Sequence, residues 1–471
     1  MLLAASTLFK RNRNLLRGAF IPVLFFTAVQ SVNAQGNSPY SRYGLGDMFP
    51  GGNVVSRSMG GVSAADANMT DTAYLLKGFN YVIIQPHINF NNPASFSSFY
   101  VAKDPRSNKI AFGRVLLDAG VNIEDRTISE PNNINKFTSS DLYFSYLQFG
   151  IPLKKGWGLS FGLRPVTRIY YKLNVTNRIP NIDSASTDYN GNGGSYLPNI
   201  GTGIAIGNLS LGGSLGYLFG NRQSSSDVYL ENDSIQYYRS TYKTATSFGN
   251  IFTSFGAQYL IKLNPQKGQF LRLGAYGNFR QKLKASQDRT IGTFTLDPNA
   301  TLTDTVYKSS NVKGEIIYPS SYTFGFALGG LVGKTGSWLA GADLAQTQWS
   351  KFRVYDSTDA VGDNWQLRIG GQLIPELGKG YFSRVTYRTG FFVGRDYITA
   401  SGKLPVWGAS LGLGLPVGNY NRLAQGQLTT INLGFEYNSR GNNTNLLKED
   451  TYRLSVGLNF GDIWFNKRKY D

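Results

Sequence analysis

The chain has no cysteine, a single histidine (His87), and only 16% charged residues in a length of 471. Without thiols there is no disulfide framework, no thiolate metal site and no cysteine nucleophile. One imidazole excludes a multi-histidine metal centre and leaves almost no room for a Ser-His hydrolytic pair. No catalytic residue, metal or organic cofactor is therefore expected, and the chain does not read as an enzyme. Long apolar runs are scarce as well. The longest, Ala19 to Val29, has eleven residues, too few to cross a bilayer as a helix. What the chain does have is 55 glycines and 14% aromatic residues. Aromatics at that level oppose disorder, and with glycine and short polar stretches between them they point to many strands.

Residues 1–34 read as a removable signal peptide. Lys10, Arg11, Arg13 and Arg17 form its basic region, the eleven-residue run follows, and Val32 and Ala34 occupy the small-residue positions of a cleavage site. Removing this leader lowers the net charge from +18 to +14. A basic exported chain favours anionic lipid surfaces or anionic ligands. Nucleic acid is not an expected partner, since no recognition motif accompanies the charge.

Period-two alternation sets the fold class. In 321–333, Tyr322, Phe324, Phe326 and Leu328 share one face, and Thr323, Gly325, Ala327 and Gly329 the other. In 407–415, Trp407, Leu411, Leu413 and Leu415 oppose Gly408, Ser410, Gly412 and Gly414. An apolar face set against a small or polar one, in segments of about ten residues, fits a strand with lipid outside and a polar lumen inside. Fourteen such strands can be read. Long polar connections (118–140, 174–198, 220–247, 285–320) alternate with tight Pro/Gly/Lys turns (152–156, 207–208, 264–268, 334–336, 375–380). The expected fold is an all-β, fourteen-stranded antiparallel transmembrane barrel of the outer membrane, over residues 110–460. A basic tail, 461–471, would face the periplasm with the tight turns.

Residues 35–109 break the pattern. A fourteen-stranded barrel has an interior wider than its own side chains fill, so this segment is expected to plug the lumen from the periplasmic side. Within it, Asn92-Pro93-Ala94 makes a rigid turn, because proline fixes one dihedral and lacks an amide hydrogen. It is either the hinge of a movable hatch or an ordinary turn joining plug to barrel. His87 reads as a hydrogen-bonded plug residue. Three Gly-x-Ser-x-Gly matches, centred on Ser160, Ser214 and Ser410, lie inside alternating strands with no helix following, so none forms a nucleophile elbow.

By strand phase, Arg164, Arg168, Arg272, Arg280, Arg368, Arg384, Arg388 and Arg453 should point into the lumen, since a charge facing lipid costs about 2–4 kcal/mol. Only Asp343 and Glu436 share that face by the same reading. The expected lumen is electropositive. It could attract an anionic head group, or its arginines could pair with plug acids such as Asp47, Asp66, Asp71 and Asp104.

Several short motifs in order carry a family resemblance: Ser58-Met-Gly-Gly-Val62, Asn92-Pro-Ala-Ser95, Tyr146 through Trp157-Gly158, Pro319 leading into Tyr322-Thr-Phe-Gly-Phe326, and the closing stretch from Asn432 to Tyr470. The chain resembles the FadL-like outer-membrane transport family, most closely its Bacteroidetes branch with PorV-like relatives. The resemblance implies a fourteen-stranded barrel with an N-terminal hatch carrying the Asn-Pro-Ala motif, entered by apolar ligands from outside. It leaves two functions open. The leading one is passage of a hydrophobic, anionic, long-chain fatty-acid-like molecule across the outer membrane. The other is a non-transporting accessory role in a secretion or outer-membrane protein assembly complex, with outer-membrane or periplasmic protein partners. Outer-membrane lipid is a partner under both.

Overall fold

The computed structural model describes residues 37–68, 87–99, 101–103, 110–131, 136–180, 183–231, 238–264, 266–294, 302–376, 378, 380–400, 402–417 and 428–463. The expected leader, the run from Tyr81 to Ile84, Asp71, Asp104 and the tail beyond 463 lie outside them. The wall consists of β1 (Ile110–Ser129), β2 (Lys136–Lys154), β3 (Trp157–Ile179), β4 (Asp183–Ile206), β5 (Leu209–Glu231), β6 (Arg239–Asn264) and β7 (Gln269–Asn278 and Gln281–Phe294). It continues with β8 (Leu302–Tyr318 and Ser321–Val332), β9 (Gly336–Thr347), β10 (Asn364–Ile374), β11 (Thr386–Arg395), β12 (Pro405–Val417), β13 (Leu428–Arg440) and β14 (Lys448–Ile463). Each strand pairs antiparallel with the next, and β14 returns to β1 from Lys448↔Ser129 to Ile463↔Arg114. The sheet closes with fourteen strands.

Alternation places the apolar residues outside. Trp365, Leu367, Ile369 and Leu373 of β10 are exposed, as are Trp407, Leu411 and Leu413 of β12, whereas Ser410 and Gly412 are buried inward. The segments read as long loops are largely strand. β3 to β6 run 23, 24, 23 and 26 residues, against the ~9–11 that cross a bilayer. Their outer halves carry Ser, Thr, Asn and Gly on both faces, so the apolar stripe that marks a strand in sequence is missing there. Proline breaks the regular wall. Pro319 cannot donate to the ladder, and β7 and β8 are both interrupted at its level. The Asn278 side-chain amide spans the gap, donating to the carbonyls of Phe279 (3.0 Å) and Pro319 (2.9 Å).

The N-terminal segment lies inside the wall. The short helix Val54–Arg57 packs on β12, β13 and β14, while the 3-10 turn Pro93–Ser98 packs on β2 to β6, across the lumen. Its route differs from entry at the tight-turn end. Beyond Leu163 the β2–β3 ladder opens, and residues 37–49 line that seam from the hairpin half of β3: Ser38 N–H donates to Tyr170 O (3.0 Å), and Asp47↔Arg168 and Met48↔Thr167 pair antiparallel. The chain descends from there. The seam offers it unpaired backbone groups, which the tight-turn end does not.

The closed lumen as candidate functional site

The plug is held by backbone contact as much as by side chains. Ser58-Met-Gly-Gly-Val62 turns through Gly60 (φ +69) and Gly61 (φ +89), left-handed values that favour glycine. This turn seats against glycines of the wall. A Cβ at Gly370 would overlap Met59, one at Gly390 would overlap Gly60, and one at Gly274 would overlap Ala64. On β5 and β6, across from Gly370 and Gly390 and next to Gly274, a Cβ at Gly212 or Gly256 would overlap Pro93 or Asn92. Polar anchors complete the fit. Asp343 of β9 accepts from the amides of Ser63 (2.7 Å) and Ala64 (2.8 Å), and Gly60 N–H donates to Ser410 Oγ (3.0 Å).

Asn92 is fully buried. Its Oδ1 accepts from Ala94 N–H (3.1 Å), capping the 3-10 turn that Pro93 starts, and its Nδ2 donates to Ala64 O (2.6 Å) and toward Ala257 O and Ala275 O (3.4 and 3.3 Å). Asn92-Pro93-Ala94 thus ties both halves of the plug to β6 and β7. Replacing Asn92 by alanine removes a cap and leaves Ala64 O without that donor, so a loss of about 1–3 kcal/mol is expected. Faster hydrogen exchange at Ala64, Ala65 and Ala94 would measure it. Unchanged exchange with altered gating would instead favour the hinge reading. His87 Nε2 lies 2.8 Å from Asp66 Oδ2. Burial alone would lower the imidazole pKa, but the Asp66 carboxylate more than offsets it and holds it above the usual histidine value.

Toward the hairpin end lies a buried ion cluster. Asp47 pairs with Arg126 (2.7 Å) and Arg440 (2.8 Å). Glu449 pairs with the same two arginines (3.3 and 3.2 Å) and accepts from Ser38 Oγ (2.7 Å). Glu124 joins Arg126 (2.9 Å) to Arg453 (2.8 Å), and Glu436 pairs with Arg453 and Arg57. Burial would raise the Asp47 pKa, but the guanidinium groups of Arg126 and Arg440 outweigh it and hold it well below the usual carboxylate range.

Between plug and ion cluster is a chamber of about 390 Å³, bordered by Phe90, Arg164, Tyr276, Arg368 and Glu436. An apolar cluster roofs it. Trp349 and Tyr397, both from loops folded inward, stack at 4.2 Å between ring centroids, and Phe352, Leu218, Leu283 and Ile316 pack around them.

Six of the eight expected lumen arginines reach the interior. Arg164 stacks over Phe90 (5.5 Å), Arg168 pairs with Asp141 and Glu124, and Arg272 donates to Ala67 O (3.3 Å). Arg368 lies along Gly61, Arg388 donates to Asn432 Oδ1 (2.9 Å), and Arg453 sits in the ion cluster. Two do not fit. Arg280 is exposed at the break in β7, where the strand phase is lost. Arg384 closes a 3-10 turn, Tyr381–Arg384, at the tight-turn end, because β11 starts only at Thr386. The electropositive lumen also needs correction. Asp47, Asp66, Asp118, Glu124, Asp396 and Glu449 lie inside with Asp343 and Glu436, and most of the arginines are matched. Sequence reading missed Arg57, Arg126 and Arg440. For Arg126 a signal existed, since Glu124 and Arg126 stand two apart, on one face of a strand.

By fold the protein is a fourteen-stranded outer-membrane β-barrel with an N-terminal segment inside its lumen. The sequence profile of the BamG family matches residues 15–471, and the chain belongs to that family. Among solved structures it is similar to the Pseudomonas putida toluene transporter TodX, at 14% identity and a TM-score of 0.52, over 88% of this chain and 99% of that one. It is also similar to a FadL homologue of Pseudomonas aeruginosa, at 13% identity and a TM-score of 0.49, over 88% and 98%. The TodX likeness establishes the FadL-like barrel fold that the sequence motifs implied. Among curated proteins there is no match.

Proposed function

We propose that this barrel is a non-transporting accessory subunit of an outer-membrane secretion or protein assembly complex. The interlocked lumen carries the reading. A ligand could pass only if the plug left the glycines of two opposite walls together, with the Asp47 and Asp343 anchors broken as well. Such a closure suits a permanent seal better than a gate. The PorV-like relatives implied by the closing sequence motifs agree with this role. Residues 1–34 are read as cleaved, so amino-terminal sequencing of the mature protein should begin at Gln35. In planar bilayers the purified chain should be non-conducting, and it should leave native membranes in mild detergent at fixed stoichiometry with other outer-membrane proteins. Recovery as a lone chain that takes up a labelled fatty acid would overturn the accessory role.

One observation favours the second reading, passage of a hydrophobic anion. Arg164 and Arg368 border the chamber and make no ion pair among the described residues. A carboxylate there would meet two cations in a partly dry space. If that is its use, the purified protein should bind a fatty acid more tightly than the matching alcohol, by about tenfold for ~1.4 kcal/mol. Arg164→Gln with Arg368→Gln should abolish the difference in a fluorescent fatty-acid displacement assay. Equal binding of acid and alcohol by the parent would remove this reading.

A further inference from the structure

The outward face of β7 changes character at the break in the wall. Below the break, Leu273 and Phe279 point to lipid from odd positions; Phe279 is 62% exposed, with Phe255 beside it at 5.9 Å between ring centroids. Above it the phase is reversed. Leu283 and Ala285 are buried in the lumen roof, so the outward positions are Lys282 and Lys284, both exposed, and Arg280 stands exposed in the break itself. Three cations thus follow Phe279 within five residues, starting where the apolar band ends. On β8 the outward positions are Glu315, which faces Lys284, and Lys313 beyond it. Like charges on one face of a sheet repel unless something answers them. Glu315 answers one, pairing with Lys282 (2.8 Å). Arg280, Lys284 and Lys313 have no ion pair among the described residues.

The cations border a notch. Lys284 faces Gly249 of β6, and a Cβ there would come within 2.9 Å of the Tyr217 hydroxyl. The missing side chain leaves an opening between Lys284 and that hydroxyl, a second hydrogen-bond donor. Directly below, Ile251, Phe279 and Phe324 are 57, 62 and 61% exposed and continue the lipid-facing band. The far side of the barrel differs. There the first outward charges above Tyr452 of β14 and Ile123 of β1 are acids, Asp450 and Asp125. Both are engaged, Asp450 by Lys448 (2.9 Å) and Asp125 by Ser140 Oγ (3.2 Å). A second copy would therefore bring either the same cations or acids already in use. Position names the occupant. The stripe lies at the rim of the lipid-facing band, where the head groups of that leaflet stand, and their phosphates are the nearest anions. The exposed aromatic rings below it suit hydrocarbon attached to the same anion.

We propose that Arg280, Lys284 and Lys313, on the outward face of β7 and β8, bind the phosphorylated head group of a lipid in the surrounding leaflet, with its acyl chains on the apolar band at Phe279 and Phe324. The site lies outside the wall, so it stands whichever use the lumen has. The test is native mass spectrometry of the purified full chain in a neutral detergent, titrated with phosphorylated lipid A and with the same glycolipid lacking its phosphates. The parent should hold the phosphorylated form about tenfold more tightly. Arg280→Gln with Lys284→Gln should bring the two within about twofold, while heat-modifiable gel mobility confirms an intact barrel. Lys136→Gln with Lys351→Gln removes the same charge elsewhere and should leave the preference unchanged. Equal retention of the two lipids by the parent overturns the site, as does an equal loss in the control pair. Displacement of the lipid by millimolar inorganic phosphate assigns the cations to a free anion and overturns the lipid. Dimers in place of the lipid adduct, lost on the Arg280 and Lys284 substitutions, assign the face to a second copy and overturn it as well.

Discussion

Gly274→Val with Gly390→Val is expected to turn a closed barrel into a conducting one. Both glycines face the plug, and a Cβ at either overlaps backbone: Ala64 at the first, Met59 and Gly60 at the second. From Gly390 the plug cannot retreat, because Pro93 and Asn92 already press on Gly212 and Gly256 across the lumen, and Gly274 stands beside that second contact on the neighbouring strand. The wall itself should tolerate the change, since valine is a better strand residue than glycine. The strain therefore falls on the plug, whose displacement opens an interior wider than the wall side chains can fill. Conductance in planar bilayers should rise by about tenfold or more over the parent, with heat-modifiable mobility retained. Gly213→Val on the outward face, where a Cβ would make only ordinary contact with Phe255 (3.8 Å), should change nothing. A double variant as silent as the parent would mean that these contacts do not position the plug.

Asp47→Ala is expected to release the first stretch of the N-terminal segment without unfolding the barrel. Asp47 is the carboxylate of residues 37–49 that reaches both Arg126 and Arg440. Removing one partner of a buried ionic group costs about 3–5 kcal/mol, less here to the extent that Glu449 and Asp396 still serve the arginines. The loss should appear as rapid hydrogen exchange over 38–49 at pH 7, with the ladder of β12 to β14 still protected. The pH dependence has a definite sign. A carboxyl depressed in the folded state contributes fully above its unfolded value of about 3.9 and loses that contribution as pH falls toward the folded value. The parent should therefore loosen over 38–49 only below about pH 4. Protection of 38–49 in the variant at pH 7 would mean that the strand pairing with β3 holds the segment without the ion pairs.

The barrel was legible in the chain because lipid imposes a local rule. A strand with lipid on one side must alternate, and 321–333 and 407–415 do so residue by residue. Where the wall leaves the lipid the rule lapses, which is why the outer halves of β3 to β6 read as loops. Arg384 and Arg280 were misplaced for a related reason: phase carries only while the strand is unbroken, and a 3-10 turn and a proline-linked break reset it. Asp343 and Glu436 were placed inward correctly, but their use as acceptors for Ser63, Ala64, Arg453 and Arg57 was not visible.

Sequence by itself determined the class: the strand number, the closed sheet, and a segment too long and too aromatic to lie idle before the first strand. Only the tertiary structure decided how the lumen is shut and which cations face outward. The closure depends on contacts between residues far apart in the chain, such as Ser38 with Glu449, 411 positions apart, or the plug turn at Gly60 with β11. No periodicity records such pairs, because each side chain satisfies its own strand's alternation whatever stands across the lumen. The outward cations of β7 are equally silent in sequence. They face outward because the break after Asn278 resets the phase, and that break lies at the level of Pro319 on the next strand, which the alternation of β7 does not record.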